Sequence, residues 1–119
     1  MLEFHVFVQS QAADALLTFD GALANLSRLP RMFIEPDGSF VWTGTADGQP
    51  WQVDGNLVDQ GIVLSYVELK GRCLEGQFDQ LLAALGWPEQ PLTFQLPQRG
   101  IFLAEPQFRA AARSSAGAI

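Results

Sequence analysis

The chain is poor in cysteine, in basic residues and in long apolar runs, and each shortage excludes a class of structure or partner. Cys73 is the single cysteine in 119 residues, so neither an internal disulfide nor a cysteine-based metal site can form. Seven Lys and Arg against thirteen Asp and Glu give a net charge of −6. Nucleic-acid binding requires clustered basic residues that neutralise phosphates, and anionic membrane surfaces repel an acidic chain. We therefore expect neither a nucleic-acid nor a membrane partner.

Targeting segments and cofactor motifs are also lacking. No apolar segment reaches the roughly 20 residues that a membrane-spanning helix requires. Residues 1–8 lack the basic residues and the continuous apolar stretch of a signal peptide, because their apolar positions alternate with polar ones. With one His and one Cys, and without a nucleotide-binding or hydrolase motif, we expect no metal and no cofactor. These observations predict a cytoplasmic protein.

Apolar residues, by contrast, are abundant: they make up 48% of the chain, whereas 17% of the residues are charged. This composition favours a globular domain over a disordered chain, and the length suits one domain with its own core. We predict a single α+β domain over residues 1–108. A tail over 109–119 is expected to be frayed, or at best a short helix over 107–113. The apolar surplus also indicates a homo-oligomer.

The period of the apolar pattern predicts the first two elements. Alternation over residues 2–8 is typical of a strand. Spacings of three and four from Leu16 to Leu26 predict a helix that Ser10 caps and Pro30 ends.

Three turns that contain glycine predict four consecutive antiparallel strands, because Gly and Asp tolerate the positive φ of tight hairpins. The turns are Asp37-Gly38, Asp47-Gly48 and 59–61, and the strands are 32–36, 39–46, 49–58 and 62–70. A second helix follows Cys73, and irregular strands over 92–96 and 101–103 complete the chain. The predicted fold is α+β, in β-α-β-β-β-β-α order with irregular C-terminal strands. It has a four- to five-stranded antiparallel sheet with two helices packed on one face.

Turn lengths set the register and thereby sort the side chains between the two faces of the sheet. Counting through the turns pairs Phe33 with Trp42 and Gly44 with Trp51. The face assigned to the core collects Phe33, Phe40, Trp42, Trp51, Val53, Leu57, Val63, Val67 and Leu69.

The opposite face is unusually apolar for a solvated surface, and contiguous exposed apolar area marks interaction sites. We predict an interaction surface of Met32, Ile34, Val41, Ile62, Leu64 and Tyr66. The competing possibility is that the C-terminal segment 92–113 folds over this face. The leading hypothesis is a non-catalytic protein-interaction module, homodimeric, that binds a protein or peptide partner through this face or through a sheet edge.

The alternative hypothesis is a small-molecule-binding domain or a small enzyme with an aromatic pocket between sheet and helices. Such a pocket would contain Trp42, Trp51 and Tyr66, with Asp54 and Glu68 as its acidic groups. Aromatic residues are more often core, however, and strand carboxylates are more often solvated charges.

Cys73 is a possible reactive thiol. It adjoins Arg72 and the start of the second helix, where the helix dipole favours a thiolate, and His5 would be its base if the two side chains met. A single cysteine in an apolar-rich chain is more often buried, so we assign no catalytic residue.

Overall fold

A computed structural model describes residues 1–11 and 17–118 of the chain, with the backbone alone over 114–118. These residues form one antiparallel sheet of seven strands together with three helices. The strands are β1 (Leu2–Ser10), β2 (Met32–Ile34), β3 (Ser39–Ala46), β4 (Gln49–Gln60), β5 (Val63–Cys73), β6 (Leu92–Leu96) and β7 (Ile101–Leu103). The helices are α1 (Phe19–Ser27), α2 (Glu75–Ala84) and α3 (Glu105–Ala118).

The strand order in the sheet is β2-β3-β4-β5-β1-β6-β7, which places the N-terminal strand in the interior. The predicted α+β class with an antiparallel sheet is confirmed. The sheet is larger than predicted, because β6 pairs with β1 and β7 pairs with β6 instead of forming separate irregular pieces. The third helix, α3, was predicted at most as a short segment.

All three helices contribute to one apolar core on a single face of the sheet, which we call the core face. Phe78 of α2 lies 5.2 Å from Phe4 of β1, and Phe108 of α3 stacks on Phe94 of β6 at 5.0 Å between ring centroids. Leu26 of α1 is buried in the same cluster. The burial of these side chains, at roughly 25 cal/mol per Å² of apolar area, holds helices and sheet together.

The outer face is the opposite side of the sheet, where side chains alternate with those of the core. Its members include Glu3, His5, Phe7, Phe33, Val41, Asp54, Tyr66, Glu68, Lys70, Arg72 and Phe102. Within residues 1–11 and 17–118, no helix packs on this face. The competing possibility, cover by segment 92–113, does not occur, because β6 and β7 extend the sheet and α3 packs on the core face.

The register of β2 differs from the predicted one by one residue. Met32, and not Phe33, pairs with Trp42, because the connection is a four-residue loop closed by hydrogen bonds between Glu35 and Ser39 and between Gly38 and Glu35. A shift of one residue exchanges the two faces of a strand. Phe33, predicted to be buried, is 72% exposed on the outer face.

The β4–β5 hairpin also closes differently from the prediction. Its turn lies at Gly61-Ile62, and a register shift follows Val58, so that Leu57 pairs with Val67. The predicted core assignment of Val63 is therefore wrong, and this side chain is 40% exposed. In the β3–β4 hairpin the predicted pairing of Gly44 with Trp51 is confirmed.

The cap of α1 and the C-terminal segment also differ from the predictions. Ser10, the predicted helix cap, lies in β1, and the hydroxyl of Thr18 caps α1 by accepting a hydrogen bond from the Gly21 amide at 2.9 Å. Leu16 of the predicted helical face lies outside the described residues. Residues 109–113, predicted as the beginning of a tail, belong to α3, where Arg109 and Ala112 are buried.

Candidate interaction surface

Two of the six residues predicted as an interaction surface lie on the outer face. Val41 points outward between the buried Phe40 and Trp42 of β3 and is 38% exposed. Tyr66 occupies the outer side of β5, half-buried against Phe7 at 5.1 Å between ring centroids.

The other four residues of that surface lie elsewhere. Met32 and Ile34 pack against the core because of the one-residue shift of β2. Leu64 also packs against the core, at the start of β5, where its amide donates to the carbonyl of Leu17. Ile62 is 80% exposed but sits in the β4–β5 turn, beside the start of α1.

One continuous row crosses the outer face from the β2 edge to β1. The register aligns, in order, Phe33, Val41, Asp54, Lys70 and His5. The row begins with an exposed apolar pair and continues with opposite charges on neighbouring strands, which attract each other across the ladder. Sequence reasoning did not place Phe33 on this face. The correct length of the loop before β3 would have been needed to do so.

A second apolar area lies toward the β7 end of the outer face. Phe7 pairs with Gln95 of β6, and Gln95 pairs with Phe102 of β7, which is 55% exposed. Next to it, the Nε2 atom of His5 lies 2.7 Å from the Oε2 atom of Glu68. The outer face is thus apolar near both ends and polar in between.

The charged side chains of the outer face balance one another. They are Glu3, Asp54 and Glu68 on the acidic side, and Lys70, Arg72 and, at the start of β2, Arg31 on the basic side. The whole chain, in contrast, carries a net charge of −6. A second acidic protein therefore meets less repulsion at this face than elsewhere on the molecule.

The predicted small-molecule pocket is divided by the sheet. Trp42 and Trp51 lie on the core face, edge to face at 4.9 Å between ring centroids, and the Nε1 atom of Trp42 donates to the Pro30 carbonyl at 2.7 Å. Tyr66, Asp54 and Glu68 lie on the outer face. The structure does not bring these five side chains together into one site.

Cys73 and His5 do not meet either. Cys73 is buried on the core face opposite Leu2, whereas His5 lies on the outer face. Burial raises the pKa of the Cys73 thiol to about 12, which the nearby positive charges of Arg109 and the N-terminus only partly offset. A thiol with this pKa is protonated at neutral pH and is a poor nucleophile.

Sequence reasoning missed two places where arginine side chains are important. The first is the contact between α3 and α2. Arg109 of α3 is buried beneath Asp79 of α2, at 2.6 Å, and beside Glu105, at 2.5 Å, with its guanidinium 5.1 Å from the centre of the Phe78 ring. This network fastens α3 to α2.

The second place is an open groove of about 910 Å³ at the end of the β3–β4 hairpin, which Arg31 and Arg72 line. The side chains that line it come from β3, β4, β5 and the residue that precedes β2. Arg31 and Arg72 are far apart in the sequence, so the groove could not be predicted from their spacing. It follows only from the register of the sheet.

Comparison of the chain with known protein families, with curated proteins and with solved structures finds no match. The candidate surface is therefore interpreted from its own residues. Among the helices of the described residues, none has the length and apolarity needed to cross a membrane. The same residues hold no cluster of three or more His, Cys, Asp and Glu side chains suited to a metal ion.

Proposed function

We propose that this protein is a non-catalytic interaction module that binds a protein partner through the outer face of its sheet, and that a second copy of the chain is that partner. The observation that carries the proposal is the placement of all three helices on the core face, which leaves the outer face without cover among the described residues. Exposed apolar side chains at that face, above all Phe33, lose unfavourable contact with water when a partner covers them.

The size of the outer face supports a stable dimer. Each strand residue occupies about 3.3 Å by 4.8 Å of the sheet plane, so the seven strands present roughly 800 Å². Stable interfaces bury about 800 Å² on each partner. Because the charges of the face balance, two copies related by a twofold axis can bring this surface together without the repulsion expected of a chain with net charge −6.

The edges of the sheet contribute less to the proposed interface. The two edge strands, β2 and β7, contain three residues each. Such short edges offer few free backbone groups to an added strand, a common protection against edge-to-edge pairing. The face is therefore the proposed interface, with Phe33 at the point where the face meets the β2 edge.

The proposal is tested by the solution mass of the protein, measured by light scattering after size exclusion. We expect the wild type to be a dimer and Phe33→Glu to be a folded monomer, because the substitution places a charge in the interface. Ala83→Glu is the matched control: it adds the same charge at an exposed position of α2, on the helical side of the molecule. A monomeric wild type would overturn the homodimer, as would a Phe33→Glu variant that remains dimeric.

The cytoplasmic location predicted from the sequence belongs to the same proposal. The proposed dimer needs neither a membrane nor an oxidised cysteine. Cell fractionation of the tagged protein tests it: recovery in the soluble cytoplasmic fraction is expected, and recovery outside the cytoplasm contradicts it.

A further inference from the structure

The groove at the end of the β3–β4 hairpin is lined by two basic side chains among neutral ones. Thr43, Gln52 and Arg72 occupy neighbouring positions on β3, β4 and β5, and Arg31 reaches the groove from the residue before β2. The Nε atom of Arg31 donates to the Thr43 carbonyl at 3.0 Å, which fixes the guanidinium beside β3. Two arginines thus line one groove in a chain that has seven basic residues in all.

Neither guanidinium in the groove forms a salt bridge with a carboxylate of the described residues. Arg109 and Arg113 of α3, in contrast, are paired with Glu75, and Arg109 also with Asp79. Glu3 is the cross-strand neighbour of Arg72, but the Nε atom of Arg72 donates to the Met1 sulfur at 3.3 Å instead. Fixed guanidinium groups without an acidic partner attract an anion from outside.

The remaining lining residues are neutral and suit a peptide chain. Thr45, Gln49 and Gln52 offer hydroxyl and amide groups that donate and accept hydrogen bonds. The groove is open to solvent, so a segment of a partner protein can enter it. The indole of Trp51 borders the groove and stacks over Gly44, where a Cβ atom would stand 2.5 Å from the ring. Trp51 is 3% exposed, so this contact supports the groove from the core face and adds almost nothing to the surface that a ligand touches.

We propose that this groove binds an extended acidic segment of a partner protein, with one carboxylate held between Arg31 and Arg72. The planar guanidinium forks form paired hydrogen bonds with carboxylates, which are stronger than those between neutral groups. The proposal goes beyond the homodimer. Thr43, Gln52 and Arg72 belong to the outer face, so the acidic segment and the second copy of the chain compete for this part of the face. The groove lies next to Phe33 and Val41, so an apolar residue beside the bound carboxylate reaches the outer face.

The test uses isothermal titration calorimetry with a synthetic eight-residue peptide that alternates Glu and Ser. A matched peptide that alternates Gln and Ser removes the charge. We expect the wild type to bind the Glu peptide, and Arg31→Gln and Arg72→Gln each to weaken that binding at least about tenfold, the usual effect of losing a hydrogen bond between charged groups. Arg99→Gln, which removes the same charge from an exposed turn residue, is the control and leaves the affinity unchanged.

Three results would overturn the proposal. The wild type does not bind the Glu peptide, the Gln peptide binds equally well, or the arginine variants bind as the wild type does. Displacement of the peptide by inorganic phosphate at equal concentration would identify a general anion site instead. The two proposals fail separately. At a protein concentration where the dimer has dissociated, a wild type that does not bind the Glu peptide refutes the groove alone, whereas a wild type that binds the peptide but is monomeric at every concentration refutes the homodimer alone.

Discussion

The ring of Phe40 lies directly over Gly55, its cross-strand partner in the β3–β4 hairpin. A Cβ atom at residue 55 would stand 2.0 Å from the Cζ atom of Phe40, so only glycine allows the ring to occupy this place in the core. The same relationship recurs between Trp51 and Gly44. These two contacts fill the core face of β3 and β4, whose outer face is not covered by a helix of the described residues.

Gly55→Ala is expected to destabilise the fold. The added methyl group must displace the Phe40 ring, and overpacking of this kind costs about 1–3 kcal/mol in the free energy of unfolding. Gly76→Ala is the control, because no atom lies within 4 Å of the added Cβ in α2, and replacing a helical glycine stabilises by up to about 1 kcal/mol. Urea denaturation of both variants checks the difference, and equal stabilities would contradict the packing described here.

The sequence predicted the class of the fold and much of its core. Period-two alternation was sufficient to predict β1 as a strand. The Asp47-Gly48 turn placed Trp42 and Trp51 correctly in the core, because a two-residue turn leaves one choice of register. The helix after Cys73 was likewise predicted, and α2 begins at Glu75.

The rest depended on loop geometry that composition does not determine. The loop before β3 has four residues instead of two, and that difference moved Phe33 to the outer face. The register shift after Val58 moved Val63 out of the core in the same way. The buried contact of Arg109 was missed for another reason. Its acidic partner Asp79 is 30 residues away, and no local sequence pattern indicates that the two side chains meet.

Arg109→Ala is expected to lower the free energy of unfolding by about 2 kcal/mol. The substitution removes the buried aliphatic part of the side chain. It also leaves the carboxylates of Asp79 and Glu105 without the guanidinium that they contact. Arg113→Ala is the matched control from the same helix, because solvent screens its exposed pair with Glu75 and the pair contributes little to stability. Thermal denaturation followed by circular dichroism measures both, and an Arg109 effect no larger than that of Arg113 would refute a structural role for the buried guanidinium.

The attachment of α3 is expected to weaken in acid. The hydrogen bond from Arg113, more than the charge of Arg109, holds the pKa of Glu75 below its ordinary value of 4.5. Because the folded pKa is depressed, the stabilising contribution is complete above pH 4.5 and is lost as the pH falls through the lower folded pKa. Melting temperatures from pH 7 to pH 3 should fall less steeply in Glu75→Gln than in the wild type. Parallel curves would contradict this linkage.

If a second copy of the chain covers the outer face, a cysteine introduced at Val41 is protected from alkylation in the dimer. The native Cys73 is buried, with a pKa of about 12, so it does not compete for the reagent. We predict that Val41→Cys reacts several-fold more slowly with iodoacetamide at a protein concentration where the dimer forms than at one where it dissociates. Ala83→Cys, on the exposed side of α2, should react equally fast at both concentrations. Equal rates for Val41→Cys at both concentrations, with the dimer present by light scattering, would contradict the account.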